Sequence, residues 1–146
     1  VNRRLVGSAY AERVAKCARA VADIGPLRLA SLDDVARVVD PLAQQRARHV
    51  ISENLRITEL AAVLAAGDHD AAVQIMVDGH ASLRDDFDTS TDEMDAAVGA
   101  LNALPGVFGA RMTGGGFGGC LVAICEPGTI ADGWVVKPSA GARHIA

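Results

Sequence analysis

The sequence has few aromatic residues and no long apolar run, and each shortage excludes a class of partner. Among 146 residues there are one tryptophan, one tyrosine and three phenylalanines, too few for a platform that stacks nucleic-acid bases. Half of the residues are hydrophobic, yet no apolar run approaches the roughly 18 to 20 residues of a transmembrane helix. The net charge is −4, with acidic and basic residues interleaved. We therefore expect neither nucleic-acid nor membrane partners.

Cysteine and histidine are also scarce, and their spacing predicts no metal site. The four histidines form no HxxxH pair and no CxxC motif is present, so we expect no structural metal. Cys17, Cys120 and Cys125 make an odd number, and each lies in an apolar context. This usage favours unreactive, buried thiols in a reducing, cytoplasmic compartment.

Five glycines fall within the six residues 114–119, between two apolar, β-branched segments that predict strands. Glycine lacks a Cβ atom, so the run can adopt positive φ and allow another backbone, a phosphate or a sugar to approach closely. Successive N–H groups in such a loop can also surround an anion. The alternatives from the residues alone are a flexible linker or a wide hairpin turn.

The glycine run differs from the two common nucleotide-binding loops. Its GxGxxG match precedes a strand instead of a helix, which argues against a Rossmann fingerprint, and no Lys-Ser or Lys-Thr follows as in a Walker loop. The run therefore predicts close approach of another group and only weakly indicates phosphate.

The remaining pattern predicts helices first and strands later, hence an α+β fold with a small antiparallel sheet packed against helices. A capping box at Ser31 and Asp34, and another at Ser90 and Glu93, predict two helix starts. Gly79 is an expected weak point inside a helix. The predicted helices cover residues 8–24, 31–39, 41–66, 68–83 and 90–101, and the predicted strands cover residues 107–113, 120–125 and 134–137.

Four ordered segments carry a family resemblance. The string GARMTGGGFGGC at residues 109–120 closely resembles the third signature motif of galactokinases, which are members of the GHMP small-molecule kinase superfamily. Residues 46–53 (RARHVISE), 80–87 (HASLRDDF) and 8–17 resemble further galactokinase segments. The resemblance extends over roughly residues 1–125.

The resemblance implies part of an enzyme that uses ATP and Mg²⁺ to phosphorylate galactose at its anomeric hydroxyl. It implies the carboxy-terminal, ferredoxin-like domain of a GHMP kinase at residues 67–146, and a helical segment at 1–66 that joins an amino-terminal lobe. The catalytic aspartate and the ATP phosphate loop are expected upstream, so no catalytic residue is assigned here. We expect the isolated chain to be inactive and to expose an apolar face. A sugar- and ATP-sensing regulator and a non-catalytic interaction module are the alternatives.

The resemblance also implies roles for individual residues. Tyr10 and Gly115 are expected to contact the sugar, although Tyr10 could instead pack against Val14 on its own helix. The residues expected to support the phosphate loop are Thr113, Gly114, Gly116, Phe117, Gly118 and Gly119. The residues themselves, and not the resemblance, predict structural hydrogen bonds and ion pairs for a second group, because a charge run is usually a solvated face and carboxylates at adjacent helix positions diverge and do not converge on one metal ion. This group contains Arg48, His49, Glu53, Arg84, Asp85 and Asp86.

The carboxy-terminal region departs from the family pattern. Only residues 126–133 separate the second and third predicted strands, which is too short for a parallel crossover of about 10 to 12 residues. Either the last strand turns back antiparallel or residues are absent from this numbering.

Overall fold

A computed structural model of the protein describes residues 9–137. In these residues, a series of helices precedes one β-hairpin. The predicted α+β class is confirmed. The elements in chain order are α1 (Ala9–Ile24), a 3₁₀ helix (Leu32–Arg37), α2 (Pro41–Ala66), α3 (His69–Asp85), α4 (Asp92–Asn102), β1 (Val107–Thr113) and β2 (Cys120–Cys125).

The ends of the long helix α2 follow directly from the local sequence. Asp40 precedes the helix, and its carboxylate accepts hydrogen bonds from the N–H groups of Leu42 and Ala43 at 3.0 and 2.9 Å. Pro41 is favourable in the first turn because its missing N–H would have no helical partner there. Gly67 ends α2 in the left-handed conformation, with φ of 71°, which glycine adopts without a steric penalty. The predicted bounds of α2 are confirmed.

The two predicted capping boxes have different outcomes. Ser31 and Asp34 form the expected box, but the element that follows is a short 3₁₀ helix ending at Arg37. The box predicted at Ser90 is wrong, because Thr91 is the N-cap of α4 and accepts a hydrogen bond from the N–H of Met94 at 3.3 Å. The Ser90 hydroxyl instead donates to Asp95 at 2.6 Å.

The predicted third strand is not formed. In the described part of the chain the sheet has two antiparallel strands, with Thr113 opposite Cys120 and Met112 opposite Leu121. Residues 134–137 are outside any strand, and Trp134 is 89 % exposed. Their β-branched composition is insufficient without a neighbouring strand to pair with. The predicted helix start at Ser8 lies outside the described residues.

The core consists of two apolar clusters. The first lies between α1, the 3₁₀ helix and α2, and the second joins α3, α4 and the hairpin. In α1 the residues facing the first cluster follow the helical period, because Cys17, Ala20 and Ile24 recur three and four residues apart. The first cluster contains Ala20, Leu27, Val35, Val38, Ala43, Ala47 and Ile51. The second contains Leu83, Met94 and Met112, with Leu121 packed against it.

Gly79, the predicted weak point of α3, makes room for a long-range ion pair. Arg111 of β1 crosses α3 at this glycine and donates to Glu53 of α2 at 2.6 Å. A Cβ atom on Gly79 would overlap the guanidinium group, with the Arg111 Cζ atom only 3.0 Å away. The glycine therefore lowers the intrinsic propensity of α3 but allows one contact to connect three elements.

His49 is a buried histidine at the interface of α2 and α3. Its Nδ1 atom is 2.9 Å from the Ser82 hydroxyl, and its ring stacks on Phe87 with centroids 4.4 Å apart. Burial lowers the pKa of His49 to about 4, because the cationic form would lose hydration. The imidazole is therefore neutral in the folded protein near neutral pH.

A helix-propensity test can separate the two effects of Gly79. In an Arg111→Met background, Gly79→Ala should stabilise the chain by about 0.5 to 1 kcal/mol. With Arg111 present the gain should be absent or reversed, because the new methyl group displaces the guanidinium. Gly99→Ala in α4 is a matched control, because a Cβ atom there meets nothing within 4 Å. Urea unfolding gives the free energy of unfolding of each glycine-to-alanine variant with Arg111 and with Met at position 111. Equal gains for Gly79→Ala in the two backgrounds would contradict the contact between Gly79 and Arg111.

The neutral state of His49 predicts a pH-dependent stability. The unfolded chain binds a proton at this residue below about pH 6.5, whereas the folded chain does so only near pH 4. The free energy of unfolding should therefore fall as pH decreases from about 6.5 to 4, by on the order of 3 kcal/mol. Urea unfolding across this range should give a flatter profile for His49→Gln. Equal slopes in the two proteins would show that His49 is not the group responsible.

Candidate functional site

The glycine-rich loop, residues 114–119, joins the two strands of the hairpin, as the sequence predicts. Most of its glycines have positive φ, and the exception is Gly115, for which no positive φ occurs in the described backbone. The conformation of this loop therefore depends on glycine at several positions, and Gly115, the glycine expected to contact the sugar, is not one of them. The glycines with positive φ are Gly114, Gly116, Gly118 and Gly119.

The middle of the loop packs against a segment that follows α3. A Cβ atom on Gly116 would lie 2.5 Å from the Thr89 Cβ and 2.6 Å from the Thr89 carbonyl oxygen. The N–H of Phe117 donates to that same carbonyl at 2.7 Å. Both Gly116 and Thr89 are buried. This fixed contact with the body of the domain differs from what a flexible linker would show.

The two sides of the loop differ in exposure. Gly116 is buried and Phe117 half-buried, whereas Thr113, Gly114 and Gly115 are exposed. The exposed side offers a threonine hydroxyl and backbone without side chains. Such a surface can come close to a phosphate or a sugar hydroxyl, and the packed side holds it in place.

Tyr10 lies at the start of α1 with its side chain exposed. Its exposure is 41 %, and that of Val14, the alternative packing partner, is 53 %. A contact between two such exposed residues would bury little area. The phenol can therefore reach a molecule outside the described chain, which is the geometry that a sugar contact would need.

Arg13 connects α1 to the glycine-rich loop. It lies one helical turn after Tyr10, is itself buried, and its guanidinium carbon is 5.4 Å from the centroid of the Phe117 ring. This is within the range of a cation–π contact. The helix that carries Tyr10 and the loop are thus in direct contact through Arg13.

The residues predicted to be structural make contacts within the fold. Arg48 approaches the Asp86 carboxylate at 3.5 Å, and Glu53 binds Arg111 and Arg56. Arg84 pairs with its neighbour Asp85 at 2.7 Å, and this hydrogen bond lowers the pKa of Asp85. Among residues 9–137 no three metal-ligating side chains converge.

The cysteines differ in exposure, which corrects one expectation. Cys17 is half-buried, and burial raises the pKa of its thiol, as expected for an unreactive cysteine. Cys120, however, is exposed, so the predicted burial of all three thiols is wrong. The reason is its place in the hairpin, where it pairs with the exposed Thr113 at the loop end of β2.

Sequence reasoning missed the buried arginines and the turn they bind. Arg13 occupies the same helical face as Cys17 and Ala20, and Arg46 lies beside Ala43 and Ala47 on the buried face of α2. A charged residue on an apolar helical face needs a specific partner, because an unpaired buried charge is very unfavourable. This signal could have indicated two long-range arginine contacts, but not what they bind.

Comparison with known proteins places the chain in a family. The model of the family described as GHMP kinases C terminal matches residues 60–134, which is just over half of the chain. The chain belongs to the GHMP kinase family. The predicted resemblance to this superfamily is thereby confirmed, and the matched residues include α3, α4, both strands and the glycine-rich loop.

Individual members of the GHMP kinase family are similar over most of the chain. A galactokinase of Mycobacterium bovis is 43 % identical over 129 residues, covering 84 % of this chain and 35 % of that protein. The human galactokinase is 41 % identical over 131 residues, with coverages of 86 % and 33 %. The chain thus spans about a third of the length of these relatives.

A solved structure is similar as well. The crystal structure of Lactococcus lactis galactokinase complexed with galactose matches with a TM-score of 0.78 and 32 % identity. The match covers 86 % of this chain and 35 % of that one. The helices and hairpin described above are therefore a known galactokinase arrangement.

Two glycine substitutions can show that the loop is held by Thr89. Gly114→Ala introduces a side chain at positive φ, where nothing lies within 4 Å of the new Cβ, so it should destabilise by about 1 to 2 kcal/mol. Gly116→Ala adds an overlap with Thr89 and should destabilise by about 1 to 3 kcal/mol more. Urea unfolding of both variants gives the comparison. Equal losses would mean that the Gly116–Thr89 contact does not constrain the loop.

Proposed function

We propose that the protein containing this chain is a galactokinase, which transfers the γ-phosphoryl group of ATP to the anomeric hydroxyl of galactose. The observation that carries this proposal is the 41–43 % identity to galactokinases across more than four fifths of the chain. The Lactococcus lactis relative, whose structure was solved with galactose, supports the same sugar. The product is galactose 1-phosphate.

Tyr10 and Gly115 are the proposed sugar contacts of this chain. The exposed Tyr10 phenol offers a hydroxyl that can donate and accept hydrogen bonds, and an apolar ring face. Gly115, on the exposed side of the loop, has no side chain to prevent a hydroxyl-rich ligand from approaching the backbone. These two residues would bind and orient the sugar.

The rest of the glycine-rich loop would support the phosphate end of ATP. Thr113 and Gly114 are exposed beside Gly115, and the packed Gly116 and Phe117 keep the loop in one place. Phosphoryl transfer depends mainly on positioning and charge stabilisation, so a fixed loop against the phosphate-binding segment is useful. Gly118 and Gly119 complete this support by allowing the chain to return into β2.

Other parts of the machinery are proposed to lie in an amino-terminal lobe. We assign to that lobe the catalytic aspartate, the ATP phosphate loop and the Mg²⁺ site, and to residues 1–66 the junction with it. Bound Mg²⁺ would neutralise charge on the phosphoryl group. Residues 67–146 would form the carboxy-terminal domain.

None of the helices in residues 9–137 combines the length and the apolar character that a membrane span requires.

The decisive experiment measures ADP release by the complete gene product with Mg-ATP and galactose. Galactose-dependent turnover, absent with glucose, would support the proposal, and the isolated 146-residue chain should give none. Binding of galactose and ATP without turnover would instead indicate a sensing regulator. No binding of either molecule would contradict both functions.

The role of Tyr10 can be tested with a conservative change. Tyr10→Phe should raise KM for galactose about 2- to 10-fold, because one hydrogen bond contributes roughly 0.5 to 1.5 kcal/mol. KM for ATP should be unchanged. Val21→Ala, at a position of similar exposure on the same helix, is the control and should change neither constant. Unaltered galactose kinetics in Tyr10→Phe would exclude a sugar contact by the hydroxyl.

A further inference from the structure

Two buried arginines from different helices converge on the turn that follows α3. Arg13 of α1 donates from Nε to the Phe87 carbonyl at 2.9 Å and from a terminal nitrogen to the Asp88 carboxylate at 2.5 Å. Arg46 of α2 donates to the Asp86 carbonyl at 2.6 Å and reaches the Asp88 carboxylate at 3.3 Å. We call Arg13, Arg46 and Asp88 the arginine clamp.

The chemistry of this turn suits two guanidinium groups. The carbonyl groups at and beyond the last turn of a helix have no intrahelical partners, and the helix end carries partial negative charge. A guanidinium presents five N–H donors in a fixed plane, so a single arginine can bind a backbone carbonyl and a carboxylate together. The clamp therefore fixes both the backbone and the side chain of the turn.

The clamp is one residue away from the contact that holds the glycine-rich loop. Thr89 directly follows Asp88, and its carbonyl accepts the hydrogen bond from the Phe117 N–H. Arg13 also lies over the Phe117 ring. The loop thus receives two contacts that depend on the clamp, one through the backbone of Thr89 and one directly from Arg13.

Backbone conformation supports the link between the two segments. In the described chain, the non-glycine residues with positive φ are Asp88 at 54° and Phe117 at 58°. Aspartate tolerates this region, whereas phenylalanine adopts it only where the surroundings impose it. The Thr89 hydrogen bond and the Arg13 contact are the surroundings that hold Phe117.

We propose that Arg13, Arg46 and Asp88 are positioning residues for the glycine-rich loop. They hold the turn after α3 so that Thr89 sets the place of Gly116 and Phe117, and thereby the exposed side of the loop. Because Arg13 and Tyr10 share α1, the same contacts keep the loop in a fixed relation to the helix that carries Tyr10. The effect on catalysis rests on the proposed function, whereas the effect on the loop does not.

Fluorine NMR of the chain labelled with 4-fluorophenylalanine tests the placement of the loop independently of any enzymatic activity. The chain has three phenylalanines, and Phe117→Leu identifies the loop signal. Phe108 contacts His69 and is an internal reference remote from the clamp. Asp88→Asn removes the charge while keeping a residue that tolerates positive φ. We expect the Phe117 signal to shift or broaden and the Phe108 signal to be unchanged.

Matched controls distinguish a positioning effect from a general loss of charge. Asp85 has a side-chain exposure of 60 %, close to the 62 % of Asp88, and pairs only with its neighbour Arg84 among the ion pairs of the described residues. Asp85→Asn should leave the Phe117 signal unchanged. Arg13→Lys should perturb it, whereas Arg19→Lys should not, because the Arg19 side chain on the same helix is 54 % exposed and pairs with Asp23. Thermal melts verify that each variant is folded. If Arg13→Lys does not fold, the result for Asp88→Asn decides the test.

Kinetics of the complete gene product provide the second measurement. Asp88→Asn should lower kcat about tenfold and also raise KM for galactose, because a misplaced loop impairs the alignment of the reacting groups as well as the proposed sugar contact at Gly115. Asp85→Asn should retain the unmodified kcat. A lower kcat together with a shifted Phe117 signal supports the proposal.

The results separate failure of the clamp from failure of the proposed function. If Asp88→Asn leaves the Phe117 signal identical to that of Asp85→Asn, the clamp does not position the loop and the proposal is overturned. If the signal shifts while the unmodified protein does not phosphorylate galactose, the proposed function is wrong and the positioning of the loop stands.

Discussion

The described fold depends on one close approach between two backbones, where Gly116 lies against Thr89. The Phe117 N–H to Thr89 carbonyl hydrogen bond, at 2.7 Å, completes this contact. It joins the hairpin loop to the turn after α3, two segments far apart in sequence. The hairpin packs on α3 and α4 through Met112, whereas the loop itself is held by this backbone contact together with Arg13, which lies over the Phe117 ring.

A set of buried polar side chains determines how the helices meet. Its buried side chains are paired: Arg46 with the turn after α3, His49 with Ser82, and His80 with Asp95 at 2.9 Å and with the N–H of Met112 at 3.4 Å. An apolar interface would allow several helix arrangements, whereas each of these hydrogen bonds has one geometry. Directional contacts therefore fix the relation of α1 and α2 to the glycine-rich loop.

The sequence predicted what is local and missed what is long-range. Pro41 and Gly67 mark the ends of α2 through their own backbone preferences, and the run of glycines marks the inner ends of both strands, so these bounds could be predicted. The role of Thr89 could not, because it depends on a carbonyl oxygen that every residue has. The strand predicted at 134–137 failed since pairing requires a neighbour as well as composition. The exposure of the Tyr10 side chain and the backbone conformation of Gly115 could not be predicted either, because both depend on neighbours from other elements.

The contact at Gly116 also limits how this loop can change during evolution. A larger residue at one position of a core is often tolerated when a smaller one replaces its neighbour. Here the neighbouring atoms include the carbonyl oxygen of residue 89, which no substitution can remove. A substitution at Gly116 therefore cannot be compensated by a smaller residue at position 89. A larger residue at position 116 would require the turn after α3 and the hairpin to move apart.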